Sequence, residues 1–365
     1  MSKKIVNLST SEVKTYKSCK RQWEFTSRNR MMVKPIITPK ALALGTLWHE
    51  ALASLYSGAS YDAVWELVQQ EMSPDDLALK AMLPQYYDQV LVHDLKNWKV
   101  LEVEHKFEFP TGIKYYDHTK VECQICKEVF SIDIFDSFTR YPEAIFLDAS
   151  GKQVVCPNCK VNALIFQVDT EVNMTGAIDL IIYDELEDKV FGIEHKTCAK
   201  FRDDTFGQMD EQPRVYFEAL EHYITKIKHK RDKKGNLLIP ETATNGGIVI
   251  SETKKLLRDF QFKRTVYTYT PEDHAAFWKA WRNNLELCTL SIRSNKAEAP
   301  QPNYFACQMC DFKSVCGIQG YAPISKKELL QDFSLEFEER TVDYLDEKNK
   351  LFDSVIPSRS KNVYE

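Results

Sequence analysis

The chain has 365 residues, 44% of them hydrophobic and 12% aromatic, enough to bury a substantial core in one large domain with insertions or in two domains. A net charge of −5 argues against a surface coated wholesale in nucleic acid, while leaving room for a local basic groove. No run approaches the roughly 18 consecutive apolar residues of a membrane span, and the opening MSKKIVNLSTSEVK lacks the apolar core of a signal peptide, so a cytoplasmic chain with no membrane partner is expected.

Ser9 and Glu12 form a capping box that opens a helix expected to run to about Ser27. Pro39 introduces a second helix, KALALGTLWHEALASLYSG, closed by Gly58. Helical patterns follow near 61–72 and 75–97, and residues 99–109, KVLEVEHKFEF, alternate as a strand does. After an insertion over 111–166, strand patterns occupy 164–173, 176–184 and 189–196. A helix beginning near Pro213 carries VYFEALEHYITKIK, GGIVISE and RTVYTYT read as strands, and a helix over 272–294 leads into a Cys-rich end. This order predicts an α/β or α+β fold built on one central sheet. It divides into an N-terminal helical part with the first core strand (1–110), the insertion (111–166), the remaining core with the Cys-rich segment (167–320) and a charged tail (321–365).

In a reducing compartment ten Cys are better explained as metal ligands than as disulfides. Cys123 with Cys126, and Cys156 with Cys159, form two C-x2-C knuckles, the pattern of a closed tetrahedral zinc site whose role is structural. Cys307, Cys310 and Cys316 cluster near the C-terminal end and need a fourth partner, for which Cys19 is the candidate. Three clustered thiolates plus a remote one is a manner of iron–sulfur ligation, although spacing alone does not separate that from a second zinc. Cys198 and Cys288 read as small buried apolar residues.

Residues 176–197, GAIDLIIYDELEDKVFGIEHKT, hold two apolar strands joined by the turn DELED. Alternation sets Glu194 and Lys196 on one face of the second strand, and a short hairpin brings Asp179 beside them. Paired carboxylates suit a hard divalent cation. A neighbouring Lys suits phosphodiester hydrolysis, in which the ion polarises the phosphate and activates water while the ammonium steadies growing charge. By spacing alone a surface ion pair at a strand end is the better explanation of these residues.

The GAID run ending in Asp179, followed by Glu194, His195 and Lys196, resembles the PD-(D/E)XK nuclease superfamily. Three further features resemble its RecB-like branch with an iron–sulfur cluster, which includes bacterial helicase–nucleases and CRISPR-associated adaptation nucleases. They are His49 within GTLWHEAL, Gln212 and Tyr216 in a Q-x-x-x-Y element, and the placement of Cys19 with Cys307, Cys310 and Cys316. The resemblance implies a restriction-endonuclease-like α/β core with a central mixed sheet flanked by helices. It implies metal binding by His49, Asp179, Glu194 and the His195 backbone carbonyl, with Lys196 catalytic and Gln212 and Tyr216 lining the DNA path. It also implies a [4Fe–4S] cluster on Cys19, Cys307, Cys310 and Cys316 that ties the domain's ends together. Imidazole among carboxylates suits Mn2+ as well as Mg2+. Glu104 is either a further acidic member of the site or a solvated strand residue. The four-Cys ribbon stands outside the family's common core.

Lys228, Lys230, Arg231, Lys233 and Lys234 form a basic run after the Q-x-x-x-Y helix, and Lys20, Arg21, Trp23, Arg28 and Arg30 a second with an interleaved aromatic. Both are open to phosphate contact or to plain structural use. The reading is a metal-dependent DNA exonuclease acting on single strands or duplex ends in recombination, repair or phage DNA processing. A non-catalytic DNA-binding scaffold holding iron–sulfur and zinc is the alternative. No G-x-x-x-x-G-K-[ST] motif is present, so unwinding would fall to a helicase or recombination partner.

Overall fold

The computed structural model describes residues 4–37, 40–71, 77–131, 154–232, 234–255 and 260–340. Val6 and Leu8 alternate with polar residues and are fully buried, so Lys4–Ser9 is a strand, β1, that the short pattern left unread. It pairs in parallel with a much later strand. The Ser9 hydroxyl caps α1 (Thr10–Ser18) by accepting the Glu12 N–H. The expected continuous helix to Ser27 is broken: Cys19 is extended (φ −158, ψ 110) and α2 (Lys20–Thr26) starts afresh beyond it. The break sets the Cys19 side chain at a corner between two helices. After β2 (Val33–Pro35) comes α3 (Lys40–Tyr56); Pro39, its expected opener, lies outside the described residues. α4 (Tyr61–Glu71) and α5 (Leu77–Tyr86) follow. Pro84 interrupts the hydrogen bonding of α5, and a π-turn over Tyr87–Leu91 joins it to α6 (Val92–Asn97).

The sheet is built on two long strands, β3 (Trp98–Cys123) and β5 (Leu164–Asp184), which pair antiparallel from Trp98↔Asp184 to Cys123↔Leu164. The stretches over 164–173 and 176–184 are thus one strand, and β3 runs unbroken past position 111 into the ribbon. Pro110 is tolerated inside β3 because it stands at a register shift. The short β4 (Val129–Ser131) closes the ribbon side. β6 (Lys189–Cys198) returns antiparallel to β5, and β7 (Thr244–Lys254) lies parallel to β6. β8 (Phe262–Tyr267) pairs antiparallel with β7, giving the order β4-β3-β5-β6-β7-β8 with β1 beside β5, a seven-stranded mixed sheet. α7 (Asp204–Gln208) and α8 (Glu211–Ile227) form the crossover from β6 to β7. α8 and α9 (Pro271–Ser294) cover one face, where Val215, Leu220, Ile224, Trp281 and Leu285 meet Ile178 and Ile250. α3 to α6 cover the other, where Trp48, Leu52 and Tyr86 meet Leu180, Phe191 and Ile193.

Two smaller cores lie outside these layers. One joins the chain's ends: Phe25 and Val33 pack with Phe312, Val315, Leu329 and Phe337, drawn from α2, β2, α11 (Lys313–Gln319), α12 (Lys326–Asp332) and β9 (Phe337–Glu339). β2 pairs antiparallel with β9. The other sits inside the ribbon, where Val121, Leu164 and Phe166 enclose Cys123 and Cys156.

Candidate active site and thiol clusters

β3 occupies one edge of β5 along its length, so β1 and β6 share the other. The β1 ladder ends at Ser9↔Thr175 and the β6 ladder begins at Leu180↔Ile193, leaving a fork over 176–179 of β5. Asp179 stands in that fork. Its Oδ2 accepts the His195 N–H at 2.7 Å, replacing the missing ladder bond with a side-chain one. Here both long strands change face. Phe107 and Ile178 pack under α8 and α9, whereas Val103 and Leu180 pack under α3 to α6. The register places Glu104 opposite Asp179, between Val103↔Leu180 and His105↔Ile178, with Glu104 in the left-handed region at φ 52. A non-glycine residue holds that conformation only when its surroundings impose it.

His49 reaches the fork from α3, with Nδ1 3.1 Å from Asp179 Oδ2. On β6, Glu194 is 4% exposed, and its Oε1 accepts hydrogen bonds from Lys196 Nζ and, at 2.9 Å, from Gln212 Nε2. Gln212 also donates to the Tyr216 hydroxyl at 2.9 Å, the two being one turn apart on α8. His49, Asp179, Glu194, Lys196, Gln212 and Tyr216 are thereby one contiguous polar group. The His195 ring points to the opposite face, buried against Tyr56 and Tyr86.

Burial dominates the electrostatics. Glu194 is pushed above the ordinary carboxylate range by burial and then by the Asp179 charge. Burial acts on Asp179 in the same sense, but the His49 charge and hydrogen bond hold it below its ordinary value. His49, despite burial, is held above 6.5 by Asp179, and Lys196, despite burial, above 10.5 by Glu194. Glu104 rises to about 8 through burial and the Asp179 charge, and its place opposite Asp179 in the register sets it beside the acidic group. Glu194 Oε2 is buried with no hydrogen-bond partner among the described residues. A buried, partnerless carboxylate oxygen beside further carboxylates fits a divalent cation, which would supply the missing positive charge. The donors of His49, Asp179 and Glu194 form a more open set than one ion's shell, since Glu194 Oε1 is turned to Lys196 and Gln212.

In the ribbon, Cys123 Sγ lies 3.5 Å from Cys159 Sγ, Cys126 Sγ lies 3.5 Å from Cys156 Sγ, and all four sulfurs are within 4.8 Å of one another. A single tetrahedral ion with bonds of about 2.3 Å spaces its thiolates by about 3.8 Å, so the residues fit one metal ion. Backbone amides, that of Cys126 foremost, hold the Cys123 thiol down at about 6 against the effect of burial. Cys159, despite a backbone hydrogen bond, is pushed up to about 12 by burial and by hydrogen bonds with the other thiols. At the other cluster, Cys19 occupies the α1–α2 corner, Cys307 lies in α10 (Tyr304–Gln308), Cys310 follows it and Cys316 lies in α11. Burial pushes Cys310 up to about 11, with the charges of Cys316 and Cys19 adding to it. Cys316 is raised by burial and by Cys19 and Cys307, so it stands within electrostatic reach of the other three thiols. Among the described residues their sulfurs do not close to the single-ion spacing of the ribbon. No disulfide joins any of the ten.

The basic runs lie elsewhere. Arg21 is 2% exposed and donates to the Gly320 and Ala322 carbonyls beside the core that joins the ends, Arg30 pairs with Glu24 at 2.6 Å, and Trp23 is fully buried in the main core, so all three serve structure. Lys228 follows the far end of α8, about 24 Å along the axis from Gln212 at 1.5 Å per residue. Lys230 and Arg231 are exposed in the turn beyond it, and Lys233 lies outside the described residues. Sequence reading missed Tyr56, Asp94 and Arg264, which meet behind the site; 170 positions separate Asp94 from Arg264, and no local pattern links them.

A family model described as the PD-(D/E)XK nuclease superfamily matches residues 7–317. No curated protein gives a significant match. Among solved structures, one titled "Crystal structure of SSO0001" is 12% identical, with 84% of this chain and 94% of that chain covered and a TM-score of 0.26. No helix among the described residues is long and apolar enough to cross a membrane.

Proposed function

The chain belongs to the PD-(D/E)XK nuclease superfamily, and from that premise we propose that it is a divalent-metal-dependent DNA exonuclease acting on single strands or duplex ends. The observation that carries the proposal is the convergence of His49, Asp179, Glu194 and Lys196 at the β5–β6 fork, with a buried Glu194 oxygen left unpartnered. His49, Asp179, Glu194 and the His195 carbonyl would hold Mg2+ or Mn2+, which supplies Lewis acidity toward a phosphate and a lowered pKa for water. Lys196, charged and tethered to Glu194, steadies negative charge on the phosphate oxygens. Gln212 orients Glu194 and, with Tyr216, borders the path of the strand. Cys123, Cys126, Cys156 and Cys159 are assigned Zn2+, and Cys19, Cys307, Cys310 and Cys316 a [4Fe–4S] cluster with a structural role. Preference for ends rests on the resemblance of the His49, Q-x-x-x-Y and Cys arrangement to the RecB-like branch. We place the protein in the cytoplasm of a bacterium or phage-infected cell, with unwinding left to a separate helicase or recombination partner.

DNA labelled at the 5′ or the 3′ end, incubated with Mn2+, tests the reading. Wild type is expected to release label progressively from one end, and Lys196→Ala to lose at least about a hundredfold in rate, the scale of losing one charge-stabilising group. Equal label loss by both proteins would remove the proposed site.

A further inference from the structure

Behind the catalytic strand a closed circuit of five residues crosses five elements. His195 on β6 is the cross-strand neighbour of Ser251 on β7, and Ser251 of Arg264 on β8. Arg264 forks onto both carboxylate oxygens of Asp94 on α6, at 2.7 Å to Oδ1 and more closely to Oδ2. Asp94 Oδ2 also accepts the hydroxyl hydrogen of Tyr56 on α3, and the Tyr56 ring stacks on His195 at 5.7 Å and 21°. Tyr86 supports the circuit with its hydroxyl 3.1 Å from that of Tyr56, and Trp98 with its ring 4.5 Å from the Arg264 guanidinium. Asp94 is 5% exposed and His195 3%.

A buried, two-pronged ion pair is a poor device for stability, since apolar residues of the same volume do as well; its use is to fix geometry. The geometry fixed here is that of the site. Tyr56 lies two turns from His49 on α3, and His195 lies between Glu194 and Lys196 with its N–H on Asp179. We propose that Asp94, Arg264 and Tyr56 are positioning residues that lock α3 onto β6 and so set the distance from His49 to Asp179 and Glu194. None of the three touches the reacting atoms. The functional part of the proposal rests on the nuclease reading; the mechanical part does not.

The test compares wild type with Tyr56→Phe, which removes one hydrogen bond, and with the double variant Asp94→Leu/Arg264→Met, which replaces the buried pair by apolar volume without orphaning a charge. Hydrogen exchange of the 190–198 segment reads the mechanics directly. At least tenfold faster exchange there, with the β7–β8 pairing still protected, is expected in the double variant and a smaller effect in Tyr56→Phe. Mn2+ affinity, followed by the electron paramagnetic signal of the free ion, and kcat are each expected to fall tenfold or more, with KM for DNA within about twofold. Wild-type exchange in the folded double variant would overturn the proposal. So would faster exchange accompanied by unchanged Mn2+ affinity and kcat, which would make the circuit structural only. A wild type that neither binds Mn2+ nor cleaves DNA would sink the nuclease reading, and exchange would still decide the brace.

Discussion

Glu104 and Asp179 face each other across β3 and β5, and their proton affinities are driven apart, Glu104 to about 8 and Asp179 below its ordinary 3.8. Between pH 4.5 and about 8 the folded chain keeps a proton on Glu104 that the unfolded chain has lost, so stability of the metal-free protein declines as pH rises through that window. His49 acts in the same sense, its contribution being complete below pH 6.5 and lost as pH climbs through its raised folded value. Asp179 acts oppositely only as pH falls through its depressed value, outside the window. His195, lowered to about 3 by burial, adds stability up to about pH 6.5 and so offsets Glu104 only in the lower half of the window. The metal-free protein is therefore expected to melt at a lower temperature at pH 8.5 than at pH 6, and Glu104→Gln to flatten that slope. Mn2+ should bind more tightly at the higher pH, because it must displace protons from His49 and Glu194. Circular dichroism melts across pH with and without Mn2+ check this, and a melting temperature that climbs between pH 6 and 8.5 in the absence of metal would contradict it. Asp179, Glu194 and Lys196 are legible in sequence because one short hairpin carries them. Glu104 joins them only through a register set by 18 cross-strand pairs.

The ribbon is an element with a core of its own, and its two knuckles are legible because C-x2-C spacing is local chemistry. What the sequence hides is that β3 and β5 run straight from the main sheet into it. Pro110, Gly112 and Gly176 read as strand ends, yet Pro110 and Gly112 sit in a bulge, and Gly176 is needed because a Cβ there would come within 2.6 Å of the Phe107 ring. The Ser9–Ser27 helix fails differently. Every residue in it tolerates helix, and only the need to turn Cys19 toward the far end of the chain breaks it. Since Val121, Leu164 and Phe166 close around the thiols rather than around the main core, metal loss should unfold the ribbon alone. Cys126→Ser is expected to lose zinc and hydrogen-exchange protection over 116–131 and 154–168, with β5 from 172 onward unchanged. Loss of protection throughout β5 would show that the ribbon and sheet melt as one unit.

At the scale of the molecule, Cys19 and Cys316 stand about 300 residues apart, and a covalent tie across such a loop restricts the unfolded chain by about 5 kcal/mol in the chain-entropy picture. The same ends are already joined by β2 on β9 and by Phe25, Phe312 and Phe337, so a cluster on these thiols would reinforce an existing contact. Its reach extends to the site through α1. Lys14 and Lys17 on that helix pair with Asp210 and Glu211 at the start of α8, two residues and one residue before Gln212. Loosening the Cys19 corner should therefore loosen the helix that orients Glu194. Cys316→Ala is expected to yield colourless protein with a melting temperature lower by several degrees, protease cleavage near both ends, and a several-fold loss of cleavage rate at unchanged ribbon zinc. Reducing or oxidising the wild-type cluster without losing iron should leave the rate unchanged, because the tie is mechanical. A brown Cys316→Ala protein would remove that thiol from the ligand set, and a rate that follows the cluster's redox state would replace the mechanical account with an electronic one.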